Sequence, residues 1–399
     1  MSDLIGMNFV TQTPDVGTSR VPAAAYTDPV QFEQEREKIF RRAWLRVCRA
    51  NEVPQPGDYR VLEIPVWGAS VIITRGNDGE LHAFLNMCRH RGMVLTRSAS
   101  GNAGGFVCDF HGWTYNLDGT LRSVPGEEYF PRLEADRAGL GARRLAVGSW
   151  RGFVFVNWNP TPPWTLAEYL GELGEFVGQH PLEQYEHTGS YRLEVNANWK
   201  VITDAFLEPY HVATVHRRSL PDAMNSPGNP LGLPNSCRVY GDHRTMAVWG
   251  NPAHQPTPAE ALMWKHAFAL QPGKVEDVPG ANPDRSPTWW FDTNIWFPYF
   301  SLFVGAGWLL TYDVWPISVN RTVWEVNTYG LTPTNAAQKL GGEYMKIMLR
   351  DALMEDFSTV EQVQKNLETG AMEHLYLSDE MEYFIRHQHW AVQRWLSQP

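Results

Sequence analysis

Two short knuckles constrain the fold of this chain more than any other feature. NMCRHRG sets Cys88 and His90 two positions apart, and VCDFHGW sets Cys108 and His111 three apart after an intervening stretch of seventeen residues. The pattern C-x-H-x17-C-x2-H requires two loop tips to converge on one site. Gly92 and Gly112 follow the histidines and give each tip the backbone freedom to turn its N–H groups inward. Two thiolates and two imidazoles suit a [2Fe-2S] cluster in which one iron takes both cysteines and the other both histidines. Replacing two thiolates by neutral imidazoles removes negative charge and raises the potential, roughly from −400 mV to between −150 and +300 mV. The same four residue types also form tetrahedral zinc sites, but those generally pair Cys with Cys and His with His, whereas here each knuckle mixes the two. Cys48 and Cys237 have no matching partners in sequence and read as buried, inert thiols.

The sequence around the knuckles alternates like a small all-β module. YRVLEI, ASVIITR, LHAFLN, GFVCDF and GFVFVNW are short strand-like runs between Gly, Asp and Asn turns. Before them, residues 28–46 have helical character, with Asp28 as cap ahead of Pro29. After Asn159 the texture changes. Helical stretches are expected at 165–178, 199–216, 258–270, 336–368 and 378–396, with aromatic strands across 285–330. A Pro, Gly and Asn-rich passage between His216 and Met246 is longer than most connections inside a compact domain and reads as a lid or a disordered segment. No internal repeat interrupts this order. A chain of 399 residues exceeds one ordinary core, and the predicted division is a helical arm over 1–44, a β module over 45–160 and a larger domain over 161–399.

A second constellation opens at Asn198: NWKVITDAFLEPYHVATVH holds Glu208, His211 and His216 in the spacing E-x2-H-x4-H. Imidazoles five apart on a regular helix diverge by about 140°, so a shared metal needs a distorted helix. Pro209 supplies the distortion by removing a backbone donor and crowding the preceding turn. A non-haem iron that activates O2 takes two His and one carboxylate on one face. The carboxylate comes from elsewhere: in EYMKIMLRDALMEDFSTVEQVQKNL the positions 345, 349, 352, 353, 356, 360, 363 and 367 form an apolar stripe in which Asp356 alone is charged. An unpaired buried carboxylate costs several kcal/mol, so a cation opposite Asp356 is expected. Glu355 falls about 100° off the stripe. His243, His254, His266, His374, His387 and His389 show no ligand spacing and read as structural or surface residues.

Charge excludes one class of partner. A net charge of −10 argues against nucleic acid, whose binding draws on clustered Lys and Arg. The N-terminal residues carry no basic start followed by an apolar run, and the longest apolar stretch is too short to span a bilayer, so a cytoplasmic protein with no membrane partner is expected. Against this acidic background Arg89, Arg91 and Arg97 flank the first knuckle and suggest a basic rim for an acidic partner.

Taken with their order and spacing, both motifs resemble the α subunits of Rieske-type aromatic-ring-hydroxylating oxygenases and related demethylases over nearly the whole chain. The resemblance implies an α+β protein: an all-β Rieske domain, then a catalytic domain with an antiparallel sheet covered by helices in a helix-grip arrangement. It implies one [2Fe-2S] cluster held by Cys88, His90, Cys108 and His111, and one mononuclear Fe(II) held by His211, His216 and Asp356. Glu208 would be the carboxylate bridging a catalytic His to a cluster His of a neighbouring subunit, within a ring-shaped homotrimer, alone or with β subunits. Asp204 is a competing candidate for that role, but its place suits capping or solvating the helix start. Ala205, Phe206, Val212 and Tyr299 would lie beside the substrate. Three positions depart from the common pattern: Glu208 stands where Asp is usual, and Ala205 and Tyr299 where Asn is frequent. Electrons would come from NAD(P)H through a ferredoxin or flavin reductase, and O2 would oxidise an aromatic or other apolar molecule. Oxidative N- or O-demethylation is the alternative within the family. A pure electron carrier would leave the second half of the chain unexplained, and a degenerate binding protein would not keep an intact iron triad.

Overall fold

The computed structural model describes residues 8–9, 16–17, 20–270 and 273–398. Within it the chain forms two compact units, Arg36–Tyr169 and a second made of the N-terminal residues to Glu35 together with Leu170 onward. The helical run expected over 28–46 stops early. A helix spans Pro29–Glu35, a wider π-type turn follows over Arg36–Phe40, and Leu45–Arg49 is already a strand. The first unit therefore starts before residue 45 and also runs past 160. Leu45–Arg49 is an edge strand of its sheet and pairs with Phe153–Asn157.

That first unit is two antiparallel sheets. The larger has seven strands in the order Leu45–Arg49, Phe153–Asn157, Arg144–Trp150, Leu81–Leu85, Ala69–Arg75, Asp58–Ile64 and Ser100–Asn102. The smaller joins Leu121–Ser123, Thr114–Tyr115 and Phe106–Val107. Between them Tyr59, Ile72, Phe84, Phe106, Trp113 and Tyr115 make one apolar core that also contains Cys88 and Cys108.

In the second unit an eight-stranded sheet runs in the order Asn8–Phe9, Ser236–Tyr240, His243–Trp249, Trp289–Trp296, Phe300–Gly305, Trp308–Ser318, Arg321–Gly330 and Glu186–Val195. Every pairing is antiparallel except the short edge pair at Asn8–Phe9. The helices Trp199–Asp204 and Ala336–Leu367 pack against strands of this sheet, which is the α+β, helix-covered arrangement expected. Three of the longer strands of this sheet were not anticipated. Glu186–Val195 is a largely exposed edge strand rich in polar residues, and the passage after His216 becomes strand at Ser236, well before Met246. His243–Trp249 escapes detection because it buries Arg244, whose guanidinium donates to the carbonyl of Phe384 at 3.1 Å and lies 3.3 Å from Nδ1 of His387. Burial, and then the charge of Arg244, pushes the His387 pKa down to about 2.

The segment expected as one helix over 199–216 is broken. Asn198 caps its first part by accepting from the Lys200 N–H at 3.0 Å, and that part ends at Asp204; a single turn resumes at Val212–Val215. Pro209 lies in the gap, as the need for a distortion required. Lys200 and Glu35, both fully buried, form an ion pair at 2.7 Å, and Glu35 also accepts from the indole of Trp199 at 2.8 Å. Removing either partner would leave a buried charge uncompensated, at a cost of about 3–5 kcal/mol. The pair pins the Pro29–Glu35 helix to the segment that leads into Glu208.

Candidate metal centres and substrate cavity

The two knuckles have the same wiring. The N–H of Cys88 donates to the carbonyl of Met93 and that of Gly92 to Cys88; likewise Cys108 donates to Trp113 and Gly112 to Cys108. Gly92 and Gly112 adopt φ of 79° and 73°, the left-handed region that glycine enters without strain. The imidazoles of His90 and His111 come together with ring centres 4.6 Å apart, and His90 stacks on Trp113. The Tyr115 hydroxyl lies 3.3 Å from Sγ of Cys88 and accepts from the N–H of Arg89 at 2.9 Å. The two thiols are buried while His111 is exposed. This donor set fits a binuclear cluster lying between the loops, with its thiolate side in the core and its imidazole side at the surface. Cys48 and Cys237 are remote from it in sequence and buried; burial pushes the Cys48 thiol up to about 12 and the Cys237 thiol up as well.

Around the helix break, His211, His216 and Asp356 bring one ligand atom each to within 4.8 Å of one another. Nε2 of His216 lies 3.1 Å and Nε2 of His211 3.7 Å from Oδ1 of Asp356. The other nitrogen of each ring is held by a carboxylate: Nδ1 of His211 is 2.7 Å from Glu208, whose second oxygen accepts from the backbone N–H of His211 at 3.0 Å. Nδ1 of His216 is 3.0 Å from Glu355, which also accepts from Ser219 at 2.6 Å. With Nδ1 as the donor in both rings, each Nε2 keeps its lone pair for a metal. The set also carries excess negative charge. Burial opposes protonation of His216, yet its bonds to Asp356 and Glu355 outweigh burial and raise its pKa. Three carboxylates about two neutral imidazoles fit a divalent cation, and two nitrogens with one oxygen fit Fe(II).

The stripe reasoning for Asp356 agrees with its burial on the helix Ala336–Leu367, although further along Gln364 is buried and Val363 is exposed. Glu355 is the residue that sequence reasoning set aside, and it stands behind His216. Helix periodicity reports which side of a helix meets the core, and His216 approaches from beside that stripe. Asp204 neither caps nor solvates a helix start: it ends its helix and accepts from Tyr26 at 2.7 Å and Gln388 at 3.0 Å. His243, His387 and His389 are buried and hydrogen-bonded within the fold, His254 is buried against Asp222, and His374 is exposed. The His266 side chain lies outside the described residues.

His211, His216 and Asp356 face a cavity of about 460 Å³. Ala205, Phe206 and Val212 line it; Tyr299 does not. Tyr299 is buried in the core with its ring 4.5 Å from Trp315, so its place in the substrate group is not supported. The floor is a row of cross-strand partners, Met246, Thr293, Phe303, Leu310 and Thr328. The aromatic run after Ser286 contributes Trp290 and Phe291. Such a lining favours a flat apolar molecule.

Fold and donor sets together define a chain with a cluster module ahead of a mononuclear metal module. Residues 43–134 match the Rieske [2Fe-2S] domain, and residues 182–398, more than half of the chain, match the catalytic domain of the ring-hydroxylating alpha subunit; the chain belongs to that family. The large subunit of anthranilate 1,2-dioxygenase from Acinetobacter baylyi is 37% identical over 210 residues, 51% of this chain and 44% of that protein. The alpha subunit of biphenyl 2,3-dioxygenase from Rhodococcus jostii is 36% identical over 228 residues, 54% of this chain and 48% of that protein. The match thus spans under half the length of these relatives. In fold, a quaternary ammonium Rieske monooxygenase superimposes with a TM-score of 0.76 at 22% identity, over 97% of this chain and 99% of that one. Naphthalene 1,2-dioxygenase from Rhodococcus sp. gives 0.75 at 23% identity, over 96% and 97%. Among the described residues no helix is long and apolar enough to cross a membrane.

Proposed function

We propose that the protein is the terminal oxygenase component of a multicomponent system, which uses O2 and electrons from a ferredoxin or reductase to hydroxylate an aromatic substrate. The observation that carries this reading is the pair of carboxylate-backed imidazoles meeting Asp356 at the wall of an apolar cavity. When bound, the cluster supplies single electrons and the iron supplies the site at which O2 is reduced. The chain's own residues do the rest. Glu208 and Glu355 hold the Nδ1 protons of His211 and His216 and fix the ring orientations and tautomers of both. Phe206, Val212 and Leu310 keep water from the wall beside them and present a face against which a ring can lie. Dihydroxylation is favoured over demethylation because the relatives that are 35–37% identical are named as dioxygenase subunits.

The test has two parts. Dithionite-reduced protein should show the low average g value of a Rieske centre in electron paramagnetic resonance, with iron also present outside the cluster. Turnover under 18O2 with a panel of aromatic compounds should then place both labelled atoms in the product. Zinc in place of iron, or a product without label, overturns the proposal.

A further inference from the structure

Two hydroxyls of the cavity wall, those of Thr293 and Tyr312, have no hydrogen-bond partner among the described residues, whereas Thr188 donates to Thr328 at 3.0 Å and Thr328 donates to the carbonyl of Gly189 at 3.1 Å. Tyr312 is the phenol of the two. It is 5% exposed and lines the cavity, and its hydroxyl has no hydrogen-bond partner among the described residues. A hydroxyl that is unpartnered within the protein and opens on a ligand cavity finds its partner in what fills that cavity. Nor can the ring turn away, because Phe206, Phe303 and Trp324 surround it at centroid distances of 4.6, 4.6 and 5.3 Å. The donor is fixed before anything binds.

Its surroundings determine what kind of acceptor it fits. Burial, and then the negative charge of Asp356, pushes the Tyr312 pKa well above the ordinary phenol value. The phenol therefore remains a neutral donor at any working pH.

We propose that Tyr312 is a specificity-determining residue whose hydroxyl donates to an oxygen on the substrate, such as a carbonyl, ether or hydroxyl carried by the aromatic ring. The preferred substrates are then oxygen-substituted aromatics, ahead of bare hydrocarbons of the same shape. This deepens the oxygenase reading and rests on it for the reaction, but the binding preference can be measured without turnover.

The probes are acetophenone and α-methylstyrene, which share a shape and differ in C=O against C=CH2. Equilibrium binding to the holoprotein is followed through fluorescence of the tryptophans in the cavity wall. Wild type should bind acetophenone about tenfold more tightly than α-methylstyrene. Tyr312→Phe should abolish the preference by weakening acetophenone alone. No preference in the wild type overturns the proposal, and that measurement needs no variant. An equal loss for both ligands in Tyr312→Phe, or a preference that survives it, also overturns it. Failure of the oxygenase reading shows elsewhere, as wrong metal content or absent 18O product with the binding preference intact.

Discussion

Four histidines face the two metal centres, and their settings are opposites. His90 and His111 have aromatic neighbours, Trp113 against one and Phe110 against the other, and among the described residues no carboxylate bonds to either ring. Burial, His111 and Arg91 together push the His90 pKa down. His211 and His216 are each backed by a carboxylate and open on an apolar cavity. One residue type thus serves two kinds of chemistry through what stands behind it. Neutral imidazoles in place of thiolates keep the potential of a cluster high, and the exposed His111 leaves an edge at the surface for electron entry. Carboxylate-backed imidazoles are fixed in tautomer and orientation, which suits a Lewis-acidic ion that must keep positions open.

The sharpest way to break this contrast is to remove the mononuclear site and spare the cluster. Asp356→Ala should abolish turnover and the non-cluster iron while the Rieske resonance persists. Glu355→Gln should be milder, weakening iron affinity by about 10–100-fold, because it acts through His216. Metal analysis and paramagnetic resonance on both variants check the order. Greater iron loss in Glu355→Gln would exchange the roles assigned to the two neighbours.

Glu208 sharpens the comparison because it touches a ligand without facing the ion. Glu208→Gln should leave both metals in place and substrate bound, with turnover falling by at least about tenfold. Rapid-quench single turnover, with cluster oxidation followed by absorbance, measures the step that slows. Wild-type cluster oxidation would overturn the proposal that Glu208 carries electrons between subunits, and loss of iron would make it a ligand or a structural support.

What was legible in the sequence follows from how local each feature is. The cluster knuckles are complete within two short loops, so spacing and two glycines disclose them. His211 and His216 are close in sequence, and Pro209 announces the broken helix. Asp356 shows because a helix repeats its buried side every few residues. Glu355 and Tyr312 do not show, since each matters through a partner that only the fold supplies. Among so many aromatic residues in neighbouring strands, nothing in sequence separates Tyr312, which lines the cavity, from Tyr299, which packs on Trp315. Arg244 hides a fully buried strand for a related reason, its charge being accommodated by a helix some 140 residues away in sequence.

The smallest expected effect concerns the outer edge of the cluster. Arg89, Arg91 and Arg97 are exposed, and Arg91 lies over the ring of Phe110 at 5.0 Å. Val107, Phe110 and Tyr129 are exposed nearby in sequence, at 57%, 52% and 81%, so the knuckles carry apolar surface with positive charge beside it. Such a surface suits an acidic electron donor that docks transiently, with charge steering the encounter and apolar contact holding it. The donor's negative charge would be screened as salt rises, because the Debye length shrinks from about 10 Å at 0.1 M to about 3 Å at 1 M. Cluster reduction by an acidic ferredoxin should therefore slow with ionic strength in the wild type. Arg89→Glu with Arg91→Glu should lower the low-salt rate by about tenfold and flatten or reverse the salt dependence. Stopped-flow reduction across a salt series reads both quantities, and sedimentation shows whether the variant keeps its assembly state. Dithionite, a small anionic reductant with no docking surface, should lose far less rate in the variant than the ferredoxin does, and the two should converge at high salt. Equal ferredoxin rates at every ionic strength would retire the basic rim and leave these arginines as solvated surface charge.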